Sequence, residues 1–525
     1  MSAEHDFDWL VIGSGFGGSV SALRLAEKGY RVAVLEAGRR YRDEDFAKTT
    51  WNARRYYWLP RLGLKGIFRM TLFKDVFVVS GCGVGGGSLG YANTLYRPTP
   101  GSAFYRDPQW AGLEDWESAL GPHYDTAERM LGVTQYEGEG PADRMLREIA
   151  TEMGVEDTYS TTRVGVYFGE PGRTVPDPYF DGEGPPRAGC IRCGACMVGC
   201  RHNAKNTLVK NYLWLAERAG VEILPERTVA DVRPLGAPDG SGGYAVTSER
   251  SGAWVRKESR TLTAGGVVVA AGPLGTNQLL QRCRLGGSLP RLSGRVGHLV
   301  RTNSEAISAV TTKDLRHDFT KSIAITSSFY PDPDTHIENV TYGPGADSIA
   351  LLFTILKAAR TRFTRPLWPR RWSRRTVIIL TMQTLDNSMR LIPKRNLFGP
   401  GPRLQTQEDP DKPNPRFIEA ADQVTRRAAE KLGATPQAGL TEALLNIPTT
   451  AHIMGGAVIG ERPETGVVDG RQRAFGYENL LVCDGSAIPA NIGVNPSLTI
   501  TALTEHAISH VAPREPQTVA ARVKT

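Results

Sequence analysis

The run Asp8-Trp9-Leu10-Val11-Ile12-Gly13-Ser14-Gly15-Phe16-Gly17-Gly18 decides how this chain begins to fold. Its first five residues have the composition of a short buried strand. They lead without a break into a G-x-G-x-x-G turn built on Gly13, Gly15 and Gly18. Residues 19–28 then carry helical periodicity, and Arg31-Val32-Ala33-Val34-Leu35 is a second strand ending at Glu36. Strand, turn, helix, strand and acid together make a complete βαβ unit. In such a unit the first glycine permits a tight turn and the second lets backbone approach a pyrophosphate. The third lets helix and strand pack closely. The helix start offers free N–H groups and the positive end of its dipole to phosphate. Glu36 stands where ribose hydroxyls are accepted. The reading is a Rossmann-type α/β unit that binds a dinucleotide.

Outward from it lies a second glycine-rich run, Gly81-Cys82-Gly83-Val84-Gly85-Gly86-Gly87-Ser88-Leu89-Gly90-Tyr91-Ala92-Asn93. So many glycines mark backbone lying close against something flat or bulky, here the same cofactor. Residues 101–180 read as helices and loops, 209–219 as a helix and 221–225 as a strand. Residues 266–276, Gly-Val-Val-Val-Ala-Ala-Gly-Pro-Leu-Gly-Thr, form an apolar strand that returns to the first sheet and ends in a small-residue turn. Residues 295–445 change character. Alternating segments at 322–328 and 376–382 predict antiparallel strands of a second domain. Residues 479–486 read as a strand and turn, and 497–511 as a helix. The expected organisation is a dinucleotide domain over 1–294 with a Cys-rich insert at 186–206, and a substrate domain over 295–445. Residues 446–511 return to the first domain, and 512–525 form a flexible tail.

At 525 residues the chain is long enough for two or more domains. Its 57 glycines and 34 prolines, set against 40% hydrophobic residues, mark turns rather than disorder. No run of about 18 apolar residues exists to cross a bilayer. The polar start, Met1-Ser2-Ala3-Glu4-His5-Asp6, leaves no room for a signal peptide before the first strand, so a cytoplasmic location is expected. A net charge of +8 would suit a polyanion, but no nucleic-acid motif accompanies it and no such partner is expected. Basic and aromatic residues interleave in two places. One is 51–73, with Trp51, Tyr56, Tyr57 and Trp58. The other runs from apolar 349–356 through Arg360, Arg362 and Arg365 to Trp372, Arg374 and Arg375. The pattern fits an interfacial membrane segment or a mobile lid with a solvated basic face, and both suit a large apolar substrate.

Four of the seven cysteines form Cys190-x2-Cys193-x2-Cys196-x3-Cys200, the spacing of a bacterial ferredoxin loop, with Arg201 where such loops carry proline. Thiolates so close together can wrap iron and sulfide. An iron–sulfur cluster, a tight zinc site and four reduced thiols all remain open on this spacing. Cys82, Cys283 and Cys483 stand singly and read as buried apolar residues.

Several motifs together resemble the glucose–methanol–choline (GMC) oxidoreductases. They are the opening fingerprint, Gly-Val-Gly-Gly-Gly-Ser-Leu at 83–89, the return strand at 266–276, Asp484-Gly485-Ser486-Ala487-Ile488-Pro489, and Gly493-Val494-Asn495-Pro496. Within that family the chain is most similar to the bacterial cholesterol-oxidase-like branch. The Cys-rich run before 201–208 and the stretch Leu299-Val300-Arg301-Thr302-Asn303-Ser304-Glu305 carry that closer likeness. The resemblance spans about residues 7–511. It implies an FAD-binding Rossmann-type domain with a mostly antiparallel substrate domain. FAD is then the cofactor, held by Gly13, Gly15, Gly18, Glu36, Gly83, Gly86, Gly87, Ser88, Asp484, Gly485 and Asn495. Val229 is expected against the adenine and Asn93 near the isoalloxazine. No histidine lies near the second glycine-rich run, so non-covalent binding is expected.

The resemblance also implies that His452 and Asn495 face the flavin. An imidazole there can orient an alcohol and take its proton, an amide can position the same oxygen, and the helix near Pro496 aims its N-terminus at the ring. Ala451 and Ile453 stand where secreted relatives carry an aromatic residue and proline. Glu338 is expected to shift a steroid double bond by moving a proton from C4 to C6, or else to be a surface ion-pairing residue. The expected activity is oxidation of a bulky apolar secondary alcohol, a 3β-hydroxysterol first among them. The alternative is an iron–sulfur dehydrogenase for another large alcohol. Electrons would pass to oxygen or to an acceptor protein, and peripheral membrane contact is expected.

Overall fold

The computed structural model describes residues 5–253, 257–355, 370–394 and 402–515. The opening unit forms as strand Phe7–Ile12, helix Phe16–Glu27 and strand Val32–Leu35. The first strand is central. It pairs in parallel with Val32–Leu35 on one side and Arg260–Val269 on the other. Glu222–Leu224 extends the sheet beyond Val32–Leu35, and Leu480–Val482 pairs in parallel with Val267–Val269. The strand Arg260–Val269 serves two neighbourhoods. Its first half pairs antiparallel with Tyr244–Arg250, which in turn pairs with Arg227–Pro234. Its second half is wedged between two parallel strands. The change falls at Gly265-Gly266, where the Trp9 ring occupies the space a side chain on Gly266 would need. Helices cover the parallel part, with Ser497–Ser509 packed against both Phe16–Glu27 and Trp116–Leu131. This is why Val267-Val268-Val269 is apolar on both faces.

The second sheet runs Phe353–Ile355, Ala434–Gly439, Ala306–Thr312, Thr376–Gln383, Thr335–Val340, Ile325–Asp332 and Ser160–Thr161, antiparallel throughout. Its alternation is a two-sided burial. Val310, Phe329, Ile337, Val377 and Ile379 pack under helices Pro141–Glu152 and Glu419–Lys431. Ala309, Ile325, Val340, Ile378 and Leu380 face the other way, into a second core and the cavity described below. A period of two along each strand separates the two sets.

Some elements differ from the expectation. The segment 101–180 divides its helices. Trp116–Leu131 belongs with the first sheet, whereas Pro141–Glu152 lies on the second, joined by Asp143 hydrogen bonds to Thr326 Oγ1 at 2.5 Å and Ser327 Oγ at 2.7 Å. The basic–aromatic stretches are partly core. Trp372 is 1% exposed against Tyr342 and Phe353, and Tyr56 is buried on Phe68, while Trp51 is 56% exposed. Arg360, Arg362 and Arg365 lie outside the described residues, as do residues 516–525 of the tail. The tail's start is tied down, with Arg514 N donating to Lys28 O at 2.9 Å.

Candidate active site

The two glycine-rich runs meet backbone to backbone. Ser14 Oγ donates to Glu36 Oε2 at 2.7 Å and accepts from Gly85 N at 3.1 Å. A side chain on Gly86 would fall 2.6 Å from Gly15 Cα, and one on Gly83 2.6 Å from the Leu89 side chain. Ser88 Oγ donates to Gly85 O at 2.6 Å and accepts from Leu208 N at 3.0 Å, fixing the run from behind. A Cβ on Gly18 would meet Gly13 O at 2.0 Å, so helix and turn are in contact there. Gly15 and Gly272 are the opposite case, since a Cβ on either would meet nothing within 4 Å. Their bare backbone faces a cavity of about 410 Å³ whose wall also includes Gly87, Asp484 and Gly485. A glycine floor beside a helix N-terminus fits the diphosphate and flat ring of FAD.

Glu36 is buried and accepts from Ser14 N at 3.0 Å and Gly38 N at 2.7 Å. Burial raises its pKa while these hydrogen bonds oppose the rise. With the Ser14 hydroxyl and the Gly83 N–H as further donors, the carboxylate ties the two glycine-rich runs together at the end of the second strand. Asp484 accepts from Gly272 N at 2.8 Å, Thr276 Oγ1 at 2.5 Å and Ser486 N at 2.8 Å, tying the return-strand turn to the C-terminal turn. Val229 is not on this cavity's wall. It lies opposite Ser248 in strand Arg227–Pro234, packed on the first core. Asn93 is likewise behind the wall, fully buried at φ +75°, its amide lacking an oxygen or nitrogen partner and lying against the Cys196 thiol.

The opposite wall is apolar and comes from the second sheet, through Ile307, Ile325, Val340, Ile378 and Leu380. His452 and Asn495 reach the same cavity. The His452 Nδ1 touches the Glu305 carboxylate, which also accepts from Ala451 N at 2.6 Å. That contact commits Nδ1 and leaves Nε2 as the ring nitrogen open to the cavity. Burial disfavours the imidazolium, but Glu305 outweighs it and Glu338 adds to the effect, so the His452 pKa is raised. Asn495 Nδ2 donates to Glu338 Oε2 at 3.3 Å. Asn495 Oδ1 and Glu338 Oε1 are buried without a partner. Glu338 therefore stands one hydrogen bond behind the wall and is not a surface residue. Burial pushes its pKa to about 8, against the pull of His452 and Asn495.

Glu305 carries no functional signal of its own in the sequence. It lies 147 residues from His452 in the chain, and nothing local reveals the pairing. The structure shows why the stretch is built as it is. Asn303 and Ser304 adopt left-handed backbone, at φ +60° and +45°. Asn303 Nδ2 donates to Val494 O at 2.9 Å, and its Oδ1 accepts from Gly493 N at 2.8 Å. One tight turn thus clamps the loop before Asn495 and presents Glu305 to His452.

The four clustered cysteines are free thiols that share one small pocket. Burial pushes Cys190 to about 12 and Cys196 to about 11. Among the described residues no three His, Cys, Asp or Glu side chains converge on a single metal ion.

An imidazole with one nitrogen anchored, an amide and a protonatable carboxylate thus gather where a glycine cradle meets an apolar cavity. The sequence matches agree with that assembly. Residues 8–363 match the profile described as FAD dependent oxidoreductase, and residues 383–504 that of GMC oxidoreductase. The protein is an FAD-dependent oxidoreductase. The chain is 49% identical to a cholesterol oxidase of Mycobacterium tuberculosis, over 96% of this chain and 91% of that one. It is 46% identical to a cholesterol oxidase of Acinetobacter baumannii, over 97% and 94%. The chain belongs to the GMC oxidoreductase family. A pyridoxine 4-oxidase from Mesorbium loti shares the fold at a TM-score of 0.59 with 16% identity, covering 96% of this chain and 98% of that one.

Proposed function

We propose that this protein oxidises the 3β-hydroxyl of a sterol to a ketone, with oxygen as the final electron acceptor. The carrying observation is the convergence of His452 and Asn495 on a cavity whose other wall is an apolar sheet face. The sterol oxidases among its relatives supply the substrate class. Bound FAD supplies the acceptor for the carbinol hydride. His452, with Nδ1 held by Glu305, takes the hydroxyl proton at Nε2. Asn495 hydrogen-bonds the same oxygen and fixes its position. The helix Ser497–Ser509 begins at the cavity wall, where its dipole favours negative charge. Glu338, buried beside Asn495, moves a proton from C4 to C6 of the ketone and converts a 5-ene into a conjugated 4-ene.

We place the enzyme in the cytoplasm, drawing sterol from a membrane surface. All seven cysteines are free thiols, which suits a reducing compartment. Among the described residues no helix is long and apolar enough to cross a membrane. Elements that line the cavity also carry exposed Met70, Leu72, Leu351, Leu444 and Leu445, which would sit at the bilayer surface. Co-sedimentation with sterol-bearing vesicles checks that placement, and a protein left wholly in the supernatant would contradict it.

The test of the activity is anaerobic mixing with a 3β-hydroxysterol, followed by air. Flavin absorbance is expected to bleach with the 3β-alcohol, to persist with the 3α-epimer, and to return on aeration with a 4-en-3-one as product. Bleaching by simple apolar alcohols alone would overturn the sterol assignment.

A further inference from the structure

The end of the cavity remote from His452 carries polar groups that the alcohol chemistry leaves unused. Strand Thr335–Val340 runs towards it from the catalytic end. Ile337 packs under the helices, whereas Val340 faces the cavity, so a period of two puts Glu338, Val340 and Tyr342 on one face. Thr341 N donates to Ala324 O at 2.7 Å, which carries the pairing past the end of the strand. Tyr342 lines the cavity four residues beyond Glu338, about 13 Å along extended chain. Glu338 stands beside Asn495 and, in the proposed reaction, against the first two rings of the sterol. A further 13 Å or so of extended chain passes the ring system and reaches the sterol side chain.

Tyr342 is set in an apolar wall of Ile349, Leu352 and Phe353. Its ring is almost wholly buried, and its hydroxyl makes no hydrogen bond among the described residues. Two more polar groups at this end are unpaired. Trp372, with its ring centroid 6.5 Å from that of Tyr342, has its Nε1 buried without a partner. Tyr56 stacks on the cavity residue Phe68 at 5.1 Å, and its hydroxyl is also buried without a partner. Burial first, and then the neighbouring phenols, raise the pKa of Tyr342 and Tyr56, so both stay neutral. Buried tyrosine hydroxyls and tryptophan N–H groups usually find a partner. Phenylalanine at 342 would fill the same wall without desolvating a hydroxyl. Of the three unpaired groups, Tyr342 is the one that lines the cavity itself.

We infer that the Tyr342 hydroxyl hydrogen-bonds a neutral oxygen, a hydroxyl or a ketone, on the side chain of the substrate, an assignment that rests on the sterol reading above and narrows it to side-chain-oxygenated sterols. A carboxylate does not suit this end, because no lysine or arginine lines the cavity among the described residues. A plain hydrocarbon tail would leave the Tyr342 hydroxyl desolvated and unpaired. A pocket built to bond a ligand oxygen discriminates against the analogue that lacks it.

The test is binding to the FAD-bound protein, followed as the change in flavin absorbance on titration with 4-en-3-one steroids, which carry no 3-hydroxyl to oxidise. One steroid has a plain hydrocarbon side chain. The others carry a single hydroxyl or ketone at successive side-chain positions, or a terminal carboxylate. The best neutral oxygenated member should bind about tenfold more tightly than the plain one, and Tyr342→Phe should bring that ratio close to one. Equal binding of plain and oxygenated members to the wild type, tightest binding of the carboxylate, or a preference that survives in Tyr342→Phe overturns the assignment. The wild-type ratio decides the matter if the variant does not fold. Bleaching by the matching 3β-alcohols is read on the same preparation. Bleaching together with equal binding defeats the side-chain assignment alone, whereas no bleaching by any of them defeats the sterol reading itself.

Discussion

His452 is one of nine histidines, and its sequence neighbourhood alone does not set it apart from a packed core residue. What sets it apart is Glu305. A carboxylate on Nδ1 fixes both ring orientation and tautomer, as an acid does for a catalytic histidine on other folds. The raised His452 pKa has a defined sign for stability. The pair stabilises the fold fully below the ordinary histidine value of ~6.5, and that contribution is lost as pH rises through the raised folded value. The proposed proton transfer to His452 needs the neutral ring, so on that proposal the acid limb of the rate profile reports the same value. In Glu305→Gln the limb should move to lower pH, and the plateau of flavin reduction should fall on the order of 10²-fold from lost positioning. An unmoved limb in pH-dependent stopped-flow kinetics would show that Glu305 does not act through His452.

At the scale of elements, the opening βαβ unit was almost fully legible, because its glycines have separable jobs that the sequence pattern encodes. Gly18 lies on the backbone of Gly13, whereas Gly15 faces open cavity. Gly18→Ala should therefore destabilise the fold by about 1–3 kcal/mol or more, read as a lower Tm of the flavin-free protein. Gly15→Ala should leave that Tm nearly unchanged and weaken FAD binding, read by flavin titration. Equal effects of the two on the flavin-free protein would contradict the division. The second sheet was legible as alternation at 376–382, but its order was not. Ser160–Thr161 and helix Pro141–Glu152 join it from far upstream, and pairing between distant strands leaves no local mark. The same limit hid Glu305 and left Glu338 between a buried and a surface role. Its flanks, His336-Ile337 and Asn339-Val340, alternate between two buried faces, so neither face reads as solvent.

At the scale of the molecule, the active site exists only where the two units close on each other. The first sheet brings the glycine cradle and Asp484, and the second brings the apolar wall. The 299–305 stretch crosses between them and holds the segments that carry His452 and Asn495, with Arg301 Nε donating to Pro489 O at 2.8 Å and Thr450 Oγ1 donating to Thr302 O at 3.0 Å. The glycine cradle and the proposed proton-transfer residues are thus held by different contacts and can be separated by mutation. The most direct test of the account is anaerobic stopped-flow reduction of the flavin by 3β-hydroxysterol in His452→Ala. The account predicts flavin bound at the wild-type ratio and reduction slowed by about 10²–10⁴-fold. Reduction at the wild-type rate would contradict it.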